Sequence, residues 1–390
     1  MRRTTAAAVC LGAAAAAAGC GSASAVPAGN SHVPGVRPGP CASHATPATL
    51  GAQISKAKSG QTVCLATGNY GSWAGTGKAI AIAAAPHASP VMTFRFGGDA
   101  HGFTLSGIGG MGGQMTAGAR NITIENSAFS SAVAINGLAN ANVTFDHDTF
   151  VNINNPGCGG QPARIHLEYS GSIPSGVTIQ DSLFSGGDTD GIQTGVPVVV
   201  KDNVFTNLRS PGSDCNHTDS IQGVGSTGVV VEGNLFYNDY DGAVDFDGPN
   251  RWLVTDNVCY AIDRGACVSL YGDLGSRIEH NTAGARMRAL ELDRKPSERA
   301  GKGTVFANNV GPVSVDDGSS MAGDTANLYP GARARDINGI PRFAGGRSPT
   351  TWAGYQLKSV AGRRAAAARA SDVGIRRRAG GPPARPGAAG

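Results

Sequence analysis

The stretch "ITIENSAF" (122–129) returns along the chain as "VTFDHDTF" (143–150), "VTIQDSLF" (177–184), "VVVKDNVF" (198–205), "VVVEGNLF" (229–236) and "LVTDNVC" (253–259). Each copy opens on an alternating β-branched run, a strand signal, and closes on a large apolar residue. The closing residues Phe129, Phe150, Phe184, Phe205, Phe236 and Cys259 lie 21, 34, 21, 31 and 23 positions apart. Weaker copies follow in "SRIEHNTA" (276–283) and "TVFANNV" (304–310). Such a period marks a stacked repeat, in which each unit buries its apolar face only against its neighbours. In the same register Asn203, Asn234, Asn257, Asn281 and Asn309 recur at the turn. Asparagine tolerates a left-handed backbone, and its amide can bond the same amide one coil on, so a ladder of stacked amides is predicted.

A second strand per coil is carried by Ile135, Ile165, Ile192, Ile221, Val244, Val268 and Leu290, again one coil apart. Parallel strands stacked in this way give a solenoid with an apolar interior. Side chains alternate along a strand, so the residue after each inward one points outward. That outward column reads Asn136, His166, Gln193, Gln222, Asp245, Ser269 and Glu291. It is polar at every coil. At the strand entries lie Asp190 and Asp219, in the echoing stretches "DTDGIQ" (188–193) and "HTDSIQ" (217–222), then Asp241 and Arg264.

The chain resembles the right-handed parallel β-helix proteins of the pectate-lyase-like superfamily, over residues 41–375. "ATLGAQISKAKSGQTVCLATGNYGS" (48–72) is similar to their N-terminal cap, a short helix with Leu50, Ile54 and Ala57 on one face. A helix there would cover strand edges that otherwise invite aggregation. "ARDINGIPRFAG" (334–345) and "SDVGI" (371–375) resemble the closing part of bacterial repeats of this kind. The resemblance implies an all-β, single right-handed parallel β-helix and an extracellular polysaccharide as partner. "DTDGI" is similar to the Asn-Thr-Asp-Gly signature of polygalacturonases, with Asp188 in place of the Asn. Their paired Asp-Asp, Gly-His-Gly and Arg-Ile-Lys motifs are absent, as are the Trp-Ile-Asp-His of pectate lyases and the Asp-Pro-His motifs of mannuronan epimerases.

Carboxylates one coil apart stand about 5 Å from each other, close enough for two chemistries. Asp190 and Asp219 can contribute oxygens to Ca²⁺, which takes six to eight. A uronate carboxylate would then complete the shell and acidify its C5 proton for a base, with Arg264 as the candidate in a charged setting. Alternatively, two of Asp190, Asp219, Asp241 and Asp245 serve as acid and base in glycoside hydrolysis. His166, Gln193, His217, Gln222 and Glu291 are candidate substrate-binding residues, the histidines also titrating in the useful range. Three functions therefore stand: a lyase-like β-eliminase first, a glycoside hydrolase second, and a glycan-binding envelope protein without catalysis.

Arg2 and Arg3 before the apolar run "AAAVCLGAAAAAAG" (6–19) read as an export signal. "AAGC" (17–20) resembles a lipobox that would lipidate Cys20, and "ASA" (23–25) fits ordinary cleavage, so residues 1–25 are expected to be removed or to anchor the protein. Secretion or anchoring to the outer face of a bacterial membrane follows, with no integral span left after processing. Six cysteines remain, an even set suited to disulfides, with Cys41–Cys64, Cys158–Cys215 and Cys259–Cys267 as the favoured pairs. The net charge of +4 is concentrated at the ends. Residues 361–390 carry seven Arg and one Asp, which leaves the body mildly acidic and gives no reason to expect nucleic acid. The expected organisation is a linker over 26–40, the β-helix over 41–360 and a basic, mostly disordered tail over 361–390. The protein is expected to be a monomer.

Overall fold

The computed structural model describes residues 36–155, 163–168, 173–209, 218–284, 288–293, 299–316, 318–329, 337–338, 340–346, 349, 351, 353–361 and 374–375. Three rows of short parallel strands wind around one apolar interior. The first row is a sheet of thirteen strands, running from Cys41–Ala45 to Ser320–Thr325. Its inward register is Ile124, Phe145, Ile179, Val200, Val231, Val254, Ile278 and Phe306, each paired with the next. The second and third rows begin merged in long strands such as Pro90–Phe96 and Ala128–Ile135. They then separate, with Thr149–Val151 in the second row and Ala163–Leu167 in the third. The repeat read from sequence is thus one coil per copy. Earlier coils at Thr62–Leu65, Ala81–Ala84 and Thr104–Ser106 carry no copy of the pattern.

The closing residues of the repeat form the spine of the core. Phe129, Phe150, Phe184, Phe205 and Phe236 stack ring on ring, with centroids 4.2 to 5.0 Å apart. Four of them are fully buried, each contributing roughly 1.5–3 kcal/mol by leaving water. The stack ends at Cys259, which is bonded to Cys267 inside the solenoid. Cys41–Cys64 joins the first two coils. Cys158 and Cys215 lie outside the described residues. Glycine matters at Gly223, where a Cβ would sit 2.6 Å from the buried Trp252 ring.

At the corner between the first and second rows the amide ladder is complete. The backbone N–H and Nδ2 of Asn203 both donate to Oδ1 of Asn234, at 2.9 and 3.0 Å, and the pattern repeats through Asn257, Asn281 and Asn309. It continues to Asn327 and backwards through Ser182, Asp148 and Ser127, which have other side chains in the same role. The ladder residues do not adopt the left-handed backbone expected of them. The positive φ falls on the residue before each, at Asp202, Gly233, Asp256, His280 and Asn308. The corner is turned first, and the ladder side chain then points inward.

One register differs from the reading of the sequence. Ile165 pairs with Val133, and Ile135 with Leu167, so Ala134 rather than Asn136 stands behind His166. Residue counts between rows vary from coil to coil and cannot fix register alone.

The helix Leu50–Lys56 follows the edge strand of the first row and sends Leu50 and Ile54 into the core. At the other end an antiparallel pair, Ile340–Phe343 with Leu357–Ala361, lies among apolar side chains of the second row. Tyr355 stacks on Tyr260, which stacks on Tyr237. Gly374 donates its N–H to Asn308, and Ile375 is buried beside it, so these two residues of the basic tail dock on the solenoid. Among the described residues no helix is long and apolar enough to cross a membrane.

Candidate functional site

The outward column of the third row is longer than the repeat suggested. It runs Arg95, Gln114, Ala134, His166, Gln193, Gln222, Asp245, Ser269, Glu291, Ser314, each residue paired with the next. Arg95 and Gln114 were missed because "FRF" and "MGGQM" do not carry the repeat pattern. A parallel column two residues further along holds Asp247, Tyr271 and Asp293. Burial and the carboxylates of Asp245, Glu291 and Asp293 push the Tyr271 hydroxyl well above its usual range, so it remains a protonated donor.

The column is not uniformly open. Gln193 and Gln222 bond to each other through their amides and are only 0% and 6% exposed. His166, Asp245 and Glu291 are half-buried. Burial lowers the pKa of His166 below the ordinary histidine value, so its imidazole is neutral at neutral pH. His217 lies outside the described residues.

At the strand entries the two echoing aspartates do structural work. Asp190 Oδ1 accepts the backbone N–H of Asp219 at 3.0 Å, and Asp219 Oδ1 accepts that of Gly242 at 2.9 Å. Both are 3% exposed. Asp241 Oδ2 accepts the N–H of Thr218 at 3.1 Å. A Cβ at Gly242 would lie 3.0 Å from Asp219 Oδ1 and 3.7 Å from Asp245 Oδ2, so these two carboxylates converge on one glycine. Arg264 is exposed, its guanidinium 5.2 Å from the Tyr240 ring centroid and donating to the Tyr240 hydroxyl at 3.0 Å. The fold thus brings Asp190, Asp219, Asp241 and Asp245 to neighbouring coil entries and sets Arg264 beside Tyr240.

Two buried charged groups beneath these entries had no sequence signal. Arg164 is wholly buried and donates to the carbonyls of Gly186, Thr189 and Asp190. Burial lowers it to about 10, against the pull of Asp239, Asp190 and Asp188. Asp239, equally buried, accepts from the Ser220 hydroxyl at 2.6 Å and the Leu208 N–H at 3.0 Å. Burial raises it to about 7, with those bonds and Arg164 opposing the rise.

Asp190 and Asp219 are a poor fit to Ca²⁺. Each spends an oxygen on a backbone amide and is too enclosed to share an ion with a sugar, whereas the ion needs six to eight oxygens. Asp146, His147 and Asp181 bring ligand atoms within 4.8 Å of one another, but at the corner between the first and second rows, away from the third-row face.

No protein-family model and no curated protein matches the chain. Among solved structures it is similar to the PL6 family alginate lyase AlyGC, with a TM-score of 0.54 at 14% identity over 80% of this chain and 56% of that one. An arginine-to-alanine mutant of AlyGC gives a TM-score of 0.52 at 12% identity, over 86% and 57% of the two chains. The chain therefore spans a little over half of that lyase. The likeness is one of fold, the pectate-lyase-like right-handed parallel β-helix.

Proposed function

We propose that this protein acts on a uronate-containing polysaccharide outside the cytoplasm, as a lyase-like β-eliminase working on the outer face of the third row. The observation that carries the reading is the unbroken stacked column from Arg95 to Glu291, a rigid polar track as long as the solenoid allows. An extended polymer laid along it meets one side chain about every 4.8 Å. The similarity to an alginate lyase supports the same substrate class.

Elimination needs a group that removes the C5 proton and groups that hold the sugar carboxylate. His166 suits the first role, because a neutral imidazole on the track is a ready acceptor at neutral pH. Arg264 suits the second. A guanidinium in water keeps its proton and binds carboxylates in a forked geometry. Asp190 and Asp219 act here as positioning residues, fixing the strand entries from which Asp241 and Asp245 project. No step is routed through calcium.

The test is ultraviolet absorbance of the unsaturated uronate that elimination creates, with alginate and polygalacturonate as substrates, with and without Ca²⁺. Unsaturated product supports the eliminase. Reducing sugar without it supports a hydrolase built on Asp219 and Asp245. Binding without either product leaves the glycan-binding reading, and no binding overturns all three.

A further inference from the structure

At the N-terminal end of the track a groove of about 320 Å³ opens between the coils of Gly68–Trp73, Pro90–Phe96, Met111–Met115 and Ala128–Ile135. Ser72, Thr93, Arg95 and Gln114 line it, and Gly112 and Gly113 form its floor. A Cβ on Gly113 would come within 1.9 Å of the Phe94 carbonyl oxygen, so packing demands glycine and leaves the floor as bare backbone. No carboxylate lines the groove.

Arg95 is exposed and, among the described residues, forms no ion pair or hydrogen bond. Other arginines are engaged: Arg209 with Asp263, Arg277 with Glu279, Arg264 with Tyr240. From Arg95 through Gln222 the track carries no acid. The carboxylates begin at Asp245, six coil spacings or about 29 Å further on. The two ends of one face therefore differ in sign, and a polyanion is held most readily at the Arg95 end.

We infer that this groove is a carboxylate-binding subsite, in which Arg95 forks onto a uronate carboxylate while Gln114, Ser72 and Thr93 meet its hydroxyls. The inference rests on the proposed polyuronate substrate and adds where a remote part of that polymer is gripped. An unpaired guanidinium in a shallow groove is suited to a charge-assisted, bidentate contact. Tethered to a second contact six coils away, it raises affinity only for oligomers long enough to reach both.

The experiment measures binding of uronate oligomers of increasing length to the full chain, wild type against Arg95→Ala and Arg95→Lys, at low and high salt. Arg95→Ala is expected to weaken long oligomers about five- to tenfold at low salt and leave short ones unchanged, with the melting temperature unaltered. Arg95→Lys is expected to recover part of the loss. A carboxyl-reduced polymer is expected to bind wild type and Arg95→Ala alike. If wild type binds long uronates and Arg95→Ala binds them equally well, the subsite is overturned while the polyuronate reading stands. If wild type binds no uronate polymer, both fall. An equal loss with the reduced polymer would also overturn a carboxylate site.

Discussion

The corner ladder and the strand entries of the third row solve the same problem with different side chains. In the ladder an amide accepts from one coil and donates to the next, so Asn203 through Asn327 make one continuous neutral chain of bonds. At the entries, Asp190 and Asp219 accept a backbone N–H from the following coil but cannot pass a bond on, because an ionised carboxylate only accepts. Each link there ends in a charge that must be offset, and Arg164 is buried against the Asp190 carbonyl beneath them. Recurrence at coil spacing thus reports bonding in both places. Only the second leaves charge close to an open face.

The sharpest break between the two is functional. His166→Ala should lower β-elimination at least about a hundredfold with an unchanged melt, while ladder variants that remain folded keep their turnover. Its pH profile should fall on an acid limb lying below the ordinary histidine value, since burial lowers the His166 pKa. An equal rate in the variant would remove the imidazole from the mechanism.

Stability gives the next largest contrast. Asn257→Ala strands the donors of Asn234 and the carbonyl of Val231 in the core and should cost about 2–3 kcal/mol. Asp219→Ala strands only the Gly242 N–H and should cost about 1–2 kcal/mol, whereas Asp219→Asn, which keeps the acceptor, should stay within about 0.5 kcal/mol. Denaturation midpoints read these, because a solenoid loses coils in steps. Equal losses for Asn257→Ala and Asp219→Asn would show that the entry charge itself matters.

The smallest effect concerns the one carboxyl inside the ladder. Asp148 is fully buried, accepts from Ser127 through Oδ1 and leaves Oδ2 without a hydrogen bond. Burial raises its pKa well above normal, as it raises Asp239 to about 7. The folded state then holds protons that the unfolded chain releases near pH 4. The stability these groups contribute is complete below that pH and is lost as pH rises through their folded pKa values. Unfolding midpoints should therefore decline from pH 5 to pH 8, and less so in Asp148→Asn. That variant can also donate to the Ile124 carbonyl, by analogy with Asn203 and Ile179, for a gain of about 1 kcal/mol at pH 7.

Residues that repeat are the ones that sequence made legible. The Phe129–Phe236 stack, the Asn ladder and the Gln193–Gln222 pair each occur once per coil, so their register could be counted. Arg164, Asp239 and Asp148 occur once, and their meaning comes from burial. Gln193 and Gln222 were legible as a column but not as an enclosed one, because alternation tells direction and not depth. Arg95 was hidden for a different reason: its coil is built on "FRF", with no β-branched consensus to align.

The two described disulfides differ in what they fasten. Cys259–Cys267 ties two strands of a single turn and leaves that turn free to part from its neighbours. Cys41–Cys64 ties the first turn to the second. Under tension applied between the ends, the first turn cannot be peeled away while that bond is intact. Unravelling must start from the other end, where the antiparallel pair and Ile375 are held by side-chain packing and a few hydrogen bonds. As a mechanical object the molecule is a coil riveted at one tip, and reduction would let it unwind from both.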